Sequence, residues 1–196
     1  MAKKTLKGGA LLAPLPPTMV SCGDMDDSNI ITIGWTGILN TIPPKTYISV
    51  RPTRHSYNII KEKGEFVINL TPSNLVKEAD YCGIYTGKKV NKFEKCKLTK
   101  IKGTQVDAPM IEECPVNIEC RVTDVISLGS HDMFMADILA VNVDEELFDK
   151  EGKMRLDKAN LVCYAHGEYF ELGKRIGKFG FSTNKKKKHN KKKTIK

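Results

Sequence analysis

Two arginines and two hydroxyls crowd into one short stretch, Ser49-Val-Arg-Pro-Thr-Arg-His-Ser-Tyr57, which holds Arg51, Thr53, Arg54 and Ser56. The residues leading into it, Thr46-Tyr-Ile-Ser-Val50, are mostly apolar and β-branched and predict a strand. The polar groups would then emerge together at the strand's mouth, with Pro52 setting a turn between the arginines. A guanidinium pairs bidentately with phosphate oxygens and stays charged at any relevant pH, so this chemistry suits a phosphate monoester. A solvated turn after a strand accounts for the same residues, and the stretch alone does not choose between the two.

Other familiar chemistries find no support. The glycine cluster Gly173-Lys-Arg-Ile-Gly-Lys-Phe-Gly180 has the wrong spacing for a dinucleotide fingerprint and no strand before it. No Walker loop, His-x-x-x-His or Cys-x-x-Cys pair occurs, so no metal site is expected. Any pyridine nucleotide must be held in another way or be absent. Of the histidines, His131 sits in a turn, Gly129-Ser-His-Asp132, between two long predicted strands. His166, in Tyr164-Ala-His-Gly-Glu-Tyr169, reads as structural, in a C-terminal loop able to cover a site.

The elements that must position these groups are mostly strands. Thr18–Cys22 predicts a short strand closed by the turn-rich Gly23–Ser28, and Asn29–Trp35 a buried one. Asn40–Pro44 reads as a loop because its prolines remove donors. Ser56–Gly64 predicts a helix with a serine cap and a terminal glycine, and Glu65–Leu70 a strand. Helical spacing at Leu75, Ala79 and Cys82 predicts a helix from Asn74 to about Tyr85. Two long strands follow near Val116–Val125 and Met133–Val143, and a last one at Asn160–Tyr164. Two short helices among six or seven strands exclude a doubly wound fold and predict a mainly β antiparallel Greek-key barrel with helices at its ends.

Composition bounds the partners. The 196 residues carry a net charge of +9, but residues 185–196 contribute eight lysines and no acid, leaving the body near +1. The body is not basic, and no aromatic residue interleaves the lysines, so nucleic acid is not the expected partner. The tail, 183–196, is expected to be disordered, with residues 1–182 as one domain. The six cysteines (22, 82, 96, 114, 120 and 163) read as free thiols in a reducing cytoplasm. The N-terminal Gly9–Ala13 run is broken by Pro14, Pro16 and Pro17 and does not read as a signal peptide. No membrane span is expected.

One ordered set of motifs adds more. Asn29-Ile-Ile-Thr-Ile-Gly-Trp-Thr-Gly37, Pro43-Pro44, Ser49–Arg54, Gly64–Leu70, Tyr81-Cys-Gly83, Lys92-Phe93, Glu119-Cys120 and Gly129–Asp132 closely resemble the flavin reductase-like, FMN-binding split-barrel family in its flavoredoxin branch. The resemblance spans about residues 12–182. It implies a six-stranded split barrel that forms a homodimer and binds FMN non-covalently near the subunit interface. It further implies electron transfer, with NAD(P)H as a transient donor or a protein in its place, and a small molecule or protein as acceptor. A non-catalytic flavin-binding module is the alternative.

By the same resemblance, the phosphate and ribityl chain fall to Arg51, Arg54 and Ser56, with Lys92 as a further cation. The ring falls to the strand end from Thr32 through Trp35 and Thr36. Asn29, Ser49, Val50, Cys82, Gly83 and Phe93 complete the implied cofactor set. His131 matches a family position that contacts the nicotinamide or the reduced ring, which makes it the implied catalytic residue. Read without the resemblance, each has a plainer explanation. Trp35 fits a core or interface aromatic, Asn69 a strand residue satisfying a loop, Cys82 a buried thiol, Lys92 a solvated lysine, and His131 a turn histidine bonded to its own loop.

Overall fold

The ribbon of strands in this chain curls back on itself. The computed structural model describes residues 1–183, so the expected disordered tail lies, from residue 184 on, outside the described residues. The main sheet holds β1 (Thr18–Gly23), β2 (Ser28–Ile33), β3 (Thr36–Thr41), β4 (Pro44–Val50), β5 (Glu65–Asn69), β8 (Val116–Ser127) and β9 (Asp132–Val143). They lie in the order β2-β1-β5-β8-β9-β4-β3, and every neighbouring pair is antiparallel. Two small hairpins stand apart: β6 (Lys100–Ile101) with β7 (Met110–Ile111), and β10 (Val162–Ala165) with β11 (Glu168–Glu171).

In a flat sheet β2 and β4, five strand spacings of about 4.8 Å apart, would be separated by about 24 Å. Yet Ile31 and Ile33 of β2 share one core with Ile48 and Val50 of β4, Phe66 of β5 and Phe134 of β9. The sheet therefore wraps around that core. Its edge strands β2 and β3 are joined only by Gly34 and Trp35, so the two edges come together at this corner. No ladder joins β2 to β4 or β3 among the described residues.

The expected six strands of the split barrel are thus corrected to a main sheet of seven strands, with no closed barrel among the described residues. The additional strand is β3. Its Thr-Gly-Ile-Leu-Asn-Thr run lacks a clean alternation, and Pro43-Pro44 reads as a loop. Pro44 instead opens β4, opposite Thr41, where the first position of a strand tolerates a missing donor.

The helices lie where their sequence places them, with one correction. α1 (His55–Lys63) ends as expected at Gly64, which adopts φ 71° and donates its N–H to Ile60 O. Its start is not a serine cap: Arg54 holds the cap position without a side-chain bond, and Ser56 Oγ accepts from Asn29 Nδ2 at 2.7 Å instead. α2 (Val76–Ile84) buries Ala79 and Cys82, and α3 (Lys92–Cys96), absent from the sequence reading, is capped by Asn91, whose side chain accepts from Glu94 N. Asn69 takes the plain role. Buried, it donates to Met19 O and accepts from Ile111 N and Asn117 Nδ2, tying the main sheet to the β6–β7 hairpin.

Glu119 on β8 is fully buried and forms a second hub. Its carboxylate accepts from Thr104 N, Thr104 Oγ1, Gln105 N, Val106 N and Asn142 Nδ2, at 2.6–3.0 Å. Burial raises its pKa, but these donors together outweigh burial and hold it below the ordinary carboxylate value. All six cysteines are free thiols. Among the described residues, no helix is long and apolar enough to cross a membrane.

Candidate functional site

Two adjoining cavities open where the sheet edges meet, and most of the sequence-derived site residues line them. The first, about 310 Å³, runs along Ile31–Trp35 to Ser49, Arg51, Arg54, Gly83 and His131, with an outer wall that includes Asp80, Tyr164 and Tyr169. The second, about 330 Å³, is lined by Asn29, Arg51, Arg54, Ser56, Cys82, Gly83 and Lys92, with a rim at Thr53, His55, Tyr85 and Thr86. Ile31, Arg51, Arg54 and Gly83 belong to both, so the cavities form one cleft with a mixed apolar end and a basic end.

The arginine turn is built as its sequence suggests. Arg54 N donates to Arg51 O at 3.0 Å across Pro52-Thr53, and Tyr57 N then donates to Arg54 O, leading straight into α1. Both guanidiniums reach the cleft from this turn, and neither has a carboxylate within ion-pair distance among the described residues. Gly87 lets the following loop close on the basic end, because a Cβ there would collide with Asn29 Oδ1 and lie 2.7 Å from His55 Cδ2.

Lys92, the further cation that the resemblance implies, is buried where its plainer reading had it solvated. It is 3 % exposed, not solvated, and its Nζ donates to Ile30 O at 2.5 Å and Cys82 O at 2.7 Å. An ammonium has three donors, and no carboxylate pairs with this one among the described residues. Burial, the largest influence, lowers its pKa; Arg54 lowers it further, and the cysteines oppose the change. A buried charge without a counter-ion is costly, so this one points to an anionic guest.

At the other end, Trp35 is pinned by Ser49 N, which donates to its carbonyl at 3.0 Å. Its ring lies 4.6 Å from that of His131, tilted by 44°. His131 Nδ1 also bonds Ser130 Oγ at 3.0 Å, so the plain turn role and the cleft-lining role coexist. Its turn is anchored by Asp132, which accepts from Tyr57 OH at 2.6 Å and Ser127 Oγ at 2.9 Å. Burial, then Arg51 and Arg54, hold the His131 pKa below the ordinary histidine value, leaving the imidazole neutral at pH 7.

Some expected residues do not face the cleft. Val50 is core, Phe93 is buried beneath Lys100, and Thr36 Oγ1 donates to Tyr47 O. Thr32 lines the cleft, but its hydroxyl is engaged by Ala79 O of α2. Cys82 lies in the wall with its thiol pushed up to about 12 by burial, which leaves it protonated and inert.

Sequence reasoning took Tyr164–Tyr169 for a C-terminal loop able to cover a site, but did not single out its two tyrosines as the outer wall. Tyr164 and Tyr169 belong to the β10–β11 hairpin, whose turn at His166-Gly167 has φ 50° and 94°. Tyr164 N and O bond Leu15 O and N, and Tyr169 OH donates to Asp80 Oδ1 at 3.1 Å. Asp80 and burial push the Tyr169 phenol up to about 12, with burial the larger cause. The two-residue turn flanked by Tyr-Ala and Glu-Tyr was a readable hairpin signal.

Comparison with known proteins bears on this geometry. Residues 12–173 match the family described as flavin reductase like domain. A protein of Archaeoglobus fulgidus is 31 % identical over 159 residues, covering 81 % of this chain and 88 % of its own. Flavoredoxin of Desulfovibrio vulgaris (Miyazaki F) superposes with a TM-score of 0.86 at 33 % identity, covering 93 % of this chain and all of that one. Flavoredoxin from Methanosarcina acetivorans does so with a TM-score of 0.83 at 28 % identity, again over 93 % of this chain and all of its own.

Proposed function

This chain belongs to the flavin reductase-like family, and we propose that it is a flavoprotein that holds FMN non-covalently and passes electrons, as a flavin reductase or a flavoredoxin-type carrier. The observation that carries this reading is the basic end of the cleft, where Arg51, Arg54 and the buried Lys92 lack any carboxylate partner among the described residues. A phosphate dianion supplies the missing charge, and a neighbouring half-apolar cavity suits a flat ring.

When bound, FMN would supply a ring that accepts a hydride and returns electrons. The chain's own residues then divide the work. Arg51 and Arg54 would pair with phosphate oxygens, and Lys92 would offer its third N–H. Asn29 and Ser56, already bonded to each other, stand beside them for the hydroxylated chain. The corner from Gly34 to Trp35 and its bond to Ser49 fix the wall against which a ring would lie. His131, which lines the cleft and is held by Ser130 and Trp35, would orient a donor such as NAD(P)H.

The molecule is also proposed to work as a homodimer. β3 is an edge strand carrying Ile38, Leu39 and, just beyond it, Ile42, all exposed beside half-exposed Trp35. An apolar edge of this kind invites pairing, and a second copy related by a two-fold axis would cover it. Light scattering at micromolar concentration checks this; a monomer would refute it.

The direct test of flavin binding is titration of the flavin-free protein with FMN, followed by absorbance and fluorescence. Saturable binding that inorganic phosphate weakens is expected, and absence of binding would overturn the reading. Bleaching of the bound flavin by NADH, NADPH or a reduced protein carrier at a catalytic rate would then distinguish electron transfer from passive binding.

A further inference from the structure

We infer that the rim of the cleft mouth is a docking surface for an acidic electron-carrier protein, centred on Tyr85. This rests on the electron-transfer reading above and names a partner for it. Ile84 and Tyr85, the last residue of α2 and the one after it, are 64 % and 51 % exposed. Ile84 lines the first cavity and Tyr85 the second, so together they border both openings. The Tyr85 ring is fixed by stacking on Tyr81, with centroids 4.3 Å apart and planes at 25°. An exposed aromatic already held in place costs little to order on binding, and tyrosine is among the residues that carry interface energy.

Charge sets the partner's chemistry. Residues 51–60 and 81–93 contain Arg51, Arg54, Lys88, Lys89 and Lys92 and no acid. The two segments meet where Gly87 closes on His55 and Asn29. These five cations sit in a body whose net charge is near +1, so the rest of the body sums to near −4. A phosphate on Arg51, Arg54 and Lys92 would answer part of this charge and leave Lys88 and Lys89. Both are exposed, and neither has a carboxylate within ion-pair distance among the described residues. Charge segregated in this way steers and orients a partner of opposite sign, here one whose redox group is ringed by Asp and Glu. Full reduction of one flavin takes one electron from each of two reduced carriers, with protons from water, and both carriers leave oxidised.

The experiment titrates the FMN-loaded protein with an acidic [2Fe–2S] ferredoxin by calorimetry, and follows flavin reduction by the reduced ferredoxin in stopped flow. Wild type should bind it, and the rate should fall about tenfold as salt rises from about 0.05 to about 0.5 M. Lys88→Glu with Lys89→Glu should weaken binding about tenfold or more and remove the salt dependence. Tyr85→Ala should weaken binding about tenfold and keep it. FMN affinity and the rate of reduction by dithionite should stay close to wild type in both variants. Unchanged ferredoxin binding in the double variant, or equally tight binding of cytochrome c, a basic carrier, would overturn the inference. So would a parallel loss of FMN affinity, which would give the two lysines to the phosphate. A single-stranded oligonucleotide that binds more tightly than ferredoxin, and only while both lysines are present, would assign the surface to nucleic acid instead. The same calorimetry on flavin-free protein keeps the two readings apart: ferredoxin bound to a chain that takes no FMN would sink the flavin reading and leave the surface standing.

Discussion

Glu119 and Lys92 are both buried charges, and the chain treats them in opposite ways. Around Glu119 it gathers five neutral donors and no cation, so the carboxylate is satisfied from within. Around Lys92 it supplies two carbonyls and then sets Arg51 and Arg54 nearby, which compounds the charge instead of answering it. The difference separates a staple from a binding site. A charge that closes its own hydrogen bonds stabilises the fold, whereas one left without a counter-charge costs stability until a ligand arrives.

Substitutions should separate the two sharply. Glu119→Ala strands the backbone donors of Thr104, Gln105 and Val106, and should cost about 3–4 kcal/mol, lowering Tm by roughly 10 °C. Thermal unfolding followed by circular dichroism measures it, and a change of a degree or two would mean that the carboxylate is not the staple described. Arg51→Ala and Arg54→Ala should each weaken FMN binding by about 1.5–3 kcal/mol with little effect on the flavin-free fold, as read by flavin titration. If both variants purify with full flavin content, the phosphate assignment is wrong.

Lys92→Met sharpens the contrast further. It should weaken FMN binding about tenfold or more while leaving the flavin-free protein no less stable, because a buried unpaired charge has gone. A loss of stability as large as that of Glu119→Ala would erase the distinction between the two sites.

Acid and alkali offer an independent check on the same pair. Glu119 has a folded pKa below its unfolded one, so its contribution is complete above the ordinary carboxylate value and lost as pH falls through the lowered one. Lys92 also has a lowered pKa, so the slope has the same sign, but here it is the charged form that the fold penalises. Between its lowered value and the ordinary lysine value of about 10.4, the unfolded chain holds more protons, so stability of the flavin-free protein rises with pH. FMN affinity should fall across that window, as the ammonium that faces the phosphate discharges. Tm and affinity followed against pH test both groups; in Lys92→Met the two alkaline trends should vanish while the acid-side loss at Glu119 remains.

The smallest effect is expected at His131. His131→Ala should raise the Michaelis constant or lower the turnover number for NAD(P)H while FMN stays bound and dithionite reduces it at the wild-type rate. Stopped-flow measurement of both reductions checks this. Equal NAD(P)H rates in variant and wild type would leave the histidine only its bond to Ser130.

Much of the sheet was legible because β-branched runs such as Asn29–Ile33 and Glu65–Asn69 announce themselves locally. β3 did not, because it is an exposed edge whose apolar residues face outward and whose turn is made of prolines. From residue types alone the arginine turn was readable as a candidate, either an anion site or a solvated turn. Lys92 was not, because nothing local distinguishes a buried lysine from its many solvated neighbours; its burial comes from β2 and α2 closing over it. Ser56 was assigned to a helix cap by position, but its partner, Asn29, lies on the strand β2. The Tyr164–Tyr169 wall came from residues far along the chain that only the curl of the sheet brings back to the cleft.

The corner at Gly34-Trp35 also sets how the cleft is held. Ile33 and Thr36 are three Cα–Cα steps apart, so the last residue of one sheet edge and the first of the other stay within about 11 Å of each other whatever else loosens. At the far end of β2, beside Asn29, no such covalent tie spans the two edges. There the two sides are tied instead by the buried bond from Asn29 Nδ2 to Ser56 Oγ, so the cleft is held by the chain itself at its Trp35 end and by a hydrogen bond at its basic end.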